Sequence, residues 1–572
     1  MNKEKHVWDL GGLFGNEKEL KNFCQELMIH AQKFENTYKN KLAKTKKFYD
    51  VIKEYEEILE GIGRVMTYAF LCFASDTKKS AFYAEYEMLA NEIQAHILFF
   101  EIEFCALDEK NQKKILKDSK NYHYFLQKLL DSKAHQLSLE EEKVLLQVAP
   151  VGVDAFARLF DEFFSTLKVR YQGVNKSEEE ILALLHHPDR KERKQAQKAF
   201  TLKLEESQML LSYIFNMVRK GLHIQSKMRN YPNKETFRHL SNHITQKSVD
   251  SLIDTVNENM SLVQKYYHHK SKILGYRLKD YDRYAPIETK CKPIGYQEGL
   301  EMVLLCFKEF SKNFYQIAKK AVEEGWVDSH PREAKRGGAF SHGATPNAHP
   351  YVLLNFTGNY RDVFTIAHEF GHMVHQELSK KQGYLNMDTP LTTAETASVF
   401  AEMLLFDSIK SKLSKKELLG IYASKLEDIF STMFRQVVMT NFERRIHQDD
   451  RELKAQDFNE IWFEENQKMF GKSLKLTKNY SLWWSYIPHF VHSPFYCYAY
   501  SYGQLLVLAL FGLYKKKGRE FIGIYEEFLS SGGSKSPREL VAMFGFDIED
   551  SEFWKIGMLE VKKMLKEFEE LL

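Results

Sequence analysis

IAHEFGHMVH, residues 366–375, is the stretch around which the rest of the chain is read. Asn359 can cap, and Gly383 can terminate, a helix running from about Tyr360 to Lys381. Val363, Ala367, Phe370, Val374 and Leu378 supply its apolar positions. His368 and His372 then stand one above the other, and two imidazoles at this spacing can hold one metal ion. Glu369 between them can hold the water that the metal activates. Gly371 costs about 1 kcal/mol of helix propensity, which the close approach of another helix or of a substrate backbone would justify. The stretch marks a candidate hydrolase.

A catalytic zinc usually takes three protein ligands and a water. Thr392 to Glu402, TTAETASVFAE, supplies a candidate third and begins a second predicted helix with apolar Val399, Met403 and Phe406. Glu395 falls in its first turn, and Glu402 two turns on, on about the same face. Glu395 could be the third ligand, with Glu402 accepting a hydrogen bond from a ligating histidine. Thr392 followed three residues later by Glu395 is also a capping box. The two roles compete for one carboxylate, and nothing local decides between them. His375 lies three residues past His372, too close on one helix to help surround the same ion easily, and is read as supporting the ligands or touching substrate.

The chain has 572 residues, enough for about two to four domains. Its 81 basic and 78 acidic residues leave a net charge of +3, so no electrostatic case for nucleic acid exists at whole-chain level. Basic runs such as Lys39 to Lys47 read as solvated helix faces. Cys24, Cys72, Cys105, Cys291, Cys306 and Cys497 lie far apart and form no CxxC pair, arguing against disulfides and thiolate metal sites. MNKEKHVWDL lacks the apolar core of a signal peptide, and no run approaches 18 apolar residues. A cytoplasmic protein with no membrane partner is expected.

Glycine and proline are sparse over the first 150 residues, where Glu17 to Tyr49 and Tyr86 to Phe104 predict long helices. VGVDAFARLFDEFFSTLKVRYQG, near residue 150, reads as a helix leading into a strand or loop. Further helical patterns cover Ser177 to Arg229, Ser248 to Tyr276 and Gln297 to Glu324; Asn230 to Asn233 is a turn and Tyr281 to Pro293 a connector. A boundary near residue 200 separates a helical N-terminal domain, 1–200, from a larger one, 201–572. Lys335 to Phe340 and Tyr351 to Phe356 predict short strands just before the motif helix. An exposed edge there could take an extended peptide as an added strand, or the hairpin could be purely structural. Near the C-terminus His489, His492, Tyr496, Tyr498, Tyr500 and Tyr502 crowd a short span. The alternating Tyr496, Tyr498 and Tyr500 could form a strand face or part of an aromatic surface. A phenol or imidazole there could donate to a tetrahedral oxyanion; ordinary aromatic packing accounts for any single tyrosine.

HEFGHMVH followed by AETASVFAE resembles the M3 family of zinc metallopeptidases, of the oligoendopeptidase F type. YDRYAPI (281–287), GGAF (337–340), YVLLNFTG (351–358) and PHFVHSPFYCYAYSYG (488–503) look like the same family, and the likeness covers roughly residues 200 to 560. The resemblance implies a mainly α, two-lobed fold with a deep central channel, restricted to short unstructured oligopeptides. It implies one Zn2+ per chain held by His368, His372 and Glu395, which tips Glu395 toward the metal role. Glu369 becomes the general base, and Glu402 supports the metal-bound histidines. His489, Tyr496 and Tyr498 are favoured as transition-state donors. The expected function is a metalloendopeptidase with no obligate protein partner. The alternatives are a non-enzymatic helical scaffold or a peptidase with dipeptidyl or carboxypeptidase preference.

Overall fold

Side-chain caps set many of the helix starts in this chain. Asn16 accepts the Glu19 N–H, and Ser177, Ser414 and Ser536 each form a capping box with a glutamate three residues on. The computed structural model describes residues 7–287 and 293–572, except for the side chains of residues 139, 143, 146 and 391; Cys291 and part of the expected connector lie outside the described residues. Within them the chain is mainly helical, with a two-stranded and a three-stranded sheet.

The long periodic segments are shorter than the pattern predicts. Glu17 to Tyr49 breaks after the Glu17–Tyr38 helix, where Asn40 turns left-handed (φ 62°), and the next helix is Phe48–Ser75. Tyr86 to Phe104 divides at Leu98 into helices Ser80–Ile97 and Phe99–Ala106. Gln297 to Glu324 divides at Ser311, whose extended backbone and hydroxyl cap a second helix, Lys312–Glu323. A left-handed residue, a change of direction or a side-chain cap ends each helix where periodicity alone would continue it.

Contacts group the chain into two units. The first comprises Met1–Ala134, Cys291–Lys412 and Leu513–Phe546. Its N-terminal helices enclose a core that includes Phe34, Phe48, Ile52, Phe100 and Phe104. The Phe48–Ser75 helix carries an 18-residue window apolar enough by length and composition to cross a membrane, and half of that window is buried in this protein. The same unit holds the three-stranded sheet. Phe340–His342 pairs antiparallel with Tyr351–Leu353, which pairs parallel with Val327–Asp328 on its other side.

The first of the two predicted strands therefore begins only where its predicted span ends. Lys335 explains the shift: its fully buried ammonium donates to Asp328 (2.7 Å) and to the carbonyls of His330 and Leu354. Those bonds hold residues 335–339 as a loop, with Gly338 at φ 81°. The motif helix, Tyr360–Ser379, packs against this sheet and against helices Tyr296–Phe310, Ser398–Ile409 and Arg519–Ser530.

The second unit comprises His135–Lys290, Leu413–Gly512 and Asp547–Leu572. Helix Val153–Thr166 leads into the hairpin Val169–Tyr171/Val174–Lys176. A single π-helical turn, Phe430–Phe434, precedes helix Arg435–Gln448. Phe215, Phe442, Phe458, Trp462 and Trp484 stack in its core.

Candidate metal centre

Asn359 caps the motif helix through a reciprocal bond pair with Asp362, as its sequence position predicts. Downstream the expected helix start at Thr392 is absent. Leu391–Ala394 forms one short helical turn, Glu395 follows it, and the next helix is Ser398–Ile409. The Thr392 hydroxyl has no hydrogen-bond partner, so no capping box competes for Glu395. Gly371 explains why this bend sits against the motif helix. A methyl group there would lie 2.5 Å from the Ala397 carbonyl oxygen and 2.6 Å from the Ser398 Cα. The backbone approach that the bare glycine suggested is present.

That approach brings three groups together. Glu395 Oε2 lies 3.4 Å from His368 Nε2 and 3.3 Å from His372 Nε2. One ligand atom from each residue falls within 4.8 Å of the others. The ligands of a tetrahedral zinc with bonds of ~2.0–2.1 Å are about 3.3 Å apart, so the donor set fits one such ion. His368 donates through Nδ1 to Glu402 Oε1 at 2.8 Å, the tautomer that leaves Nε2 free as a ligand. Ser398 Oγ donates to Glu395 Oε2 at 2.7 Å and steadies it. The Ser398 contact was missed in the sequence, although its i,i+3 spacing from Glu395 was a usable signal. Tyr525 OH, buried, donates to the Thr396 carbonyl and braces the same bend; nothing in the sequence links these two residues.

Electrostatics follow from the geometry. Burial works against the charged form of His368, but Glu402, Glu395 and Glu369 outweigh it and raise its pKa to about 9. Burial likewise opposes ionisation of Glu395, yet the hydrogen bond and charge of His372, with His368 and Ser398, bring it down to about 2. Glu369 is 6% exposed, and burial lifts its carboxyl above the usual range despite the two histidines. His375 is fully enclosed, and burial, with the charge of His372, lowers it to about 3.

A cavity of about 460 Å³ opens over the centre, lined by His368, Glu369, His372 and Glu395 and by Phe340 and Ser341 of the sheet. The strand order leaves Phe340–His342 at the sheet edge. Ser341 and Gln376 exchange two hydrogen bonds (2.7 and 3.1 Å), clamping that strand to the motif helix.

The late aromatic span belongs to the second unit and is not a strand. Tyr498 begins helix Tyr498–Lys517. His489 Nε2 lies 3.2 Å from the Tyr500 hydroxyl, and the Tyr496 ring packs against both residues. Tyr498 turns inward instead: it is completely buried, with its hydroxyl 2.9 Å from both His239 and Asn242. His492 pairs with Asp161 at 2.8 Å.

The family model for peptidase family M3 matches residues 183–559, and that for oligopeptidase F matches 103–168. An oligoendopeptidase F homolog of Borreliella burgdorferi is 29% identical, covering 98% of this chain and 99% of its own. A crystal structure from Chlamydophila abortus superposes with a TM-score of 0.91 at 24% identity, covering 99% and 98% of the two chains. The oligoendopeptidase-F of Enterococcus faecium gives a TM-score of 0.72 at 22% identity over 97% and 99%.

Proposed function

The chain belongs to peptidase family M3 and is a metallopeptidase, and on that premise we propose that it cleaves internal bonds of short, unstructured oligopeptides with one zinc ion. His368, His372 and Glu395 hold the ion, and Glu369 is the general base. The observation that carries this reading is the convergence of three donors on one point with a buried carboxyl beside them.

When bound, the zinc supplies a Lewis acid that acidifies a water and polarises the scissile carbonyl. Glu369 takes the proton from the attacking water and delivers it to the leaving amine nitrogen. Burial raises its pKa above the usual carboxylate range, which favours its holding the proton between accepting and releasing it. Glu402 fixes the His368 tautomer, and Ser398 orients Glu395. The edge strand Phe340–His342 offers backbone groups to an extended peptide. Of the three residues favoured from the sequence, His489 and Tyr496 are partly exposed and remain the proposed oxyanion donors, whereas enclosed Tyr498 would act by positioning. Residues 1–200 are proposed as the helical N-terminal domain and 201–572 as the peptidase domain. A reducing, cytoplasmic setting is proposed, in keeping with Cys24, Cys72, Cys105, Cys306 and Cys497, which are buried and form no disulfide among the described residues.

The test is Glu369→Gln assayed on a quenched peptide blocked at both ends. We expect stoichiometric zinc, a native circular dichroism spectrum and a loss of kcat of at least about a hundredfold. Substantial residual cleavage would remove Glu369 from the mechanism. Failure of the unmodified enzyme to cut the doubly blocked peptide, with cutting of free-ended ones, would replace the endopeptidase reading by an exopeptidase one.

A further inference from the structure

Cations in the interior of the second unit usually have carboxylate partners. Arg190 and Arg193 share Asp282 (2.8 and 3.0 Å), Lys270 takes Glu427 (2.6 Å), and Arg444 takes Glu235 and Asp250. Arg219 spends its donors on Asn216 and on the carbonyls of Ile446, Asp449 and Arg451. Among the described residues, Arg283 and Arg435 have neither kind of partner. Arg283, 6% exposed, donates to the phenols of Tyr480 (2.7 Å) and Tyr284 (2.8 Å). Arg435 makes one long bond, 3.4 Å to the Tyr486 hydroxyl. The Nε of each arginine is buried with no hydrogen-bond partner. Glu427 accepts from Lys270 and Tyr266 on its Oε1 and makes no ion pair with either arginine among the described residues.

Neutral phenols do not cancel a guanidinium's charge, and an uncompensated buried cation is costly. Neighbouring groups register the excess. Burial raises the Tyr284 phenol, but the charges of Arg283 and Arg435 pull it below its ordinary value. Burial and Arg435 together depress His489. Arg435, Tyr284, Tyr486 and His489 are all partly exposed, so the arginine is within reach of a solute. It also directly follows the π turn Phe430–Phe434, a distortion frequent at functional sites. A guanidinium with free donors is built to receive a carboxylate on two parallel bonds.

We propose that Arg435, backed by Arg283, binds a carboxylate of the peptide substrate. The inference rests on the peptidase reading for the identity of the ligand. The carboxylate comes from the peptide C-terminus or from an acidic side chain, and the experiment separates the two.

The probe is binding of fluorescent peptides to zinc-loaded Glu369→Gln protein, which needs no cleavage; a failed peptidase reading would show in the activity assay, not here. One peptide has a free C-terminus and one is amidated; a third set is amidated and carries a single glutamate at successive positions. We expect one carboxylate source to bind about tenfold or more tighter than the neutral amide. Adding Arg435→Gln should bring that ratio close to one, and Arg435→Lys should keep only part of it. Tightest binding by the free acid identifies the C-terminus; tightest binding by one glutamate position identifies a side chain. Equal affinity for neutral and carboxylate peptides, which needs no Arg435 variant to observe, would overturn the proposal. So would a preference undiminished in both Arg435 variants.

Discussion

Glu395 and Glu443 are carboxyl groups held in opposite states by their surroundings. Glu395 faces two imidazoles and stays ionised. Glu443 is completely buried, and burial pushes it up to about 8 although the Phe495 N–H donates to it at 2.8 Å. That bond holds Phe495 left-handed (φ 56°), a conformation aromatic residues seldom adopt, directly before Tyr496. The folded-state value exceeds the ordinary 4.5, so the native protein holds this proton more tightly than the unfolded chain does. The resulting stability is complete below the unfolded value and is lost as pH rises through about 8. We expect the unfolding free energy, and with it the thermal midpoint, to fall between pH about 5 and about 8, the free energy by on the order of 3 kcal/mol, and Glu443→Gln to flatten that fall. Melting curves of both proteins across this range check it; parallel slopes would count against a protonated Glu443. At this scale the sequence was legible where partners share a helix, as His368 and His372 do. Glu443 and Phe495 lie 52 residues apart, and no local pattern joins them.

Between elements, the decisive contact is the motif helix against the bend at Ala397 and Ser398. Both atoms nearest a Gly371 methyl belong to backbone and cannot swing aside. Gly371→Ala should push the bend away, destabilise the protein by about 1–3 kcal/mol and weaken zinc binding through Glu395. Zinc competition with a chromophoric chelator, beside a thermal melt, measures both; unchanged zinc affinity would show that the bend absorbs the methyl without moving Glu395. The glycine was visible in sequence as an unexplained cost, and its reason is this packing. Helix ends were less legible. Ser311 and Leu98 interrupt patterns whose apolar period continues across them, because a cap or a change of direction leaves periodicity intact. The strand starting at Phe340 is displaced because Lys335 bonds the buried carbonyls of His330 and Leu354, a long-range contact that periodicity does not carry.

For the molecule as a whole, the candidate metal donors lie apart from the N-terminal hydrophobic core. The donors lie at a cavity wall, with His368, His372 and Glu395 side chains 27%, 18% and 46% exposed, while the core around Phe34, Phe48 and Phe100 is built by other helices. Chelation should abolish peptidase activity, leave helical circular dichroism unchanged and lower the thermal midpoint only by the lost binding energy. Added zinc should restore activity. Unfolding on chelation would mean that the metal holds the bend at Glu395 and much of the surrounding core.

The sequence by itself determined the mainly helical class and the His368–Glu369–His372 face, because helical spacing is fixed within one segment. It also carried the family likeness through ordered motifs. Only the tertiary structure decided that Glu395 meets the histidines instead of capping a helix, that Tyr498 turns inward, and that Arg283 and Arg435 have no carboxylate partner among the described residues. Each of those outcomes is a contact between distant segments. Burial and packing set its free energy, and neither can be read from spacing along the chain.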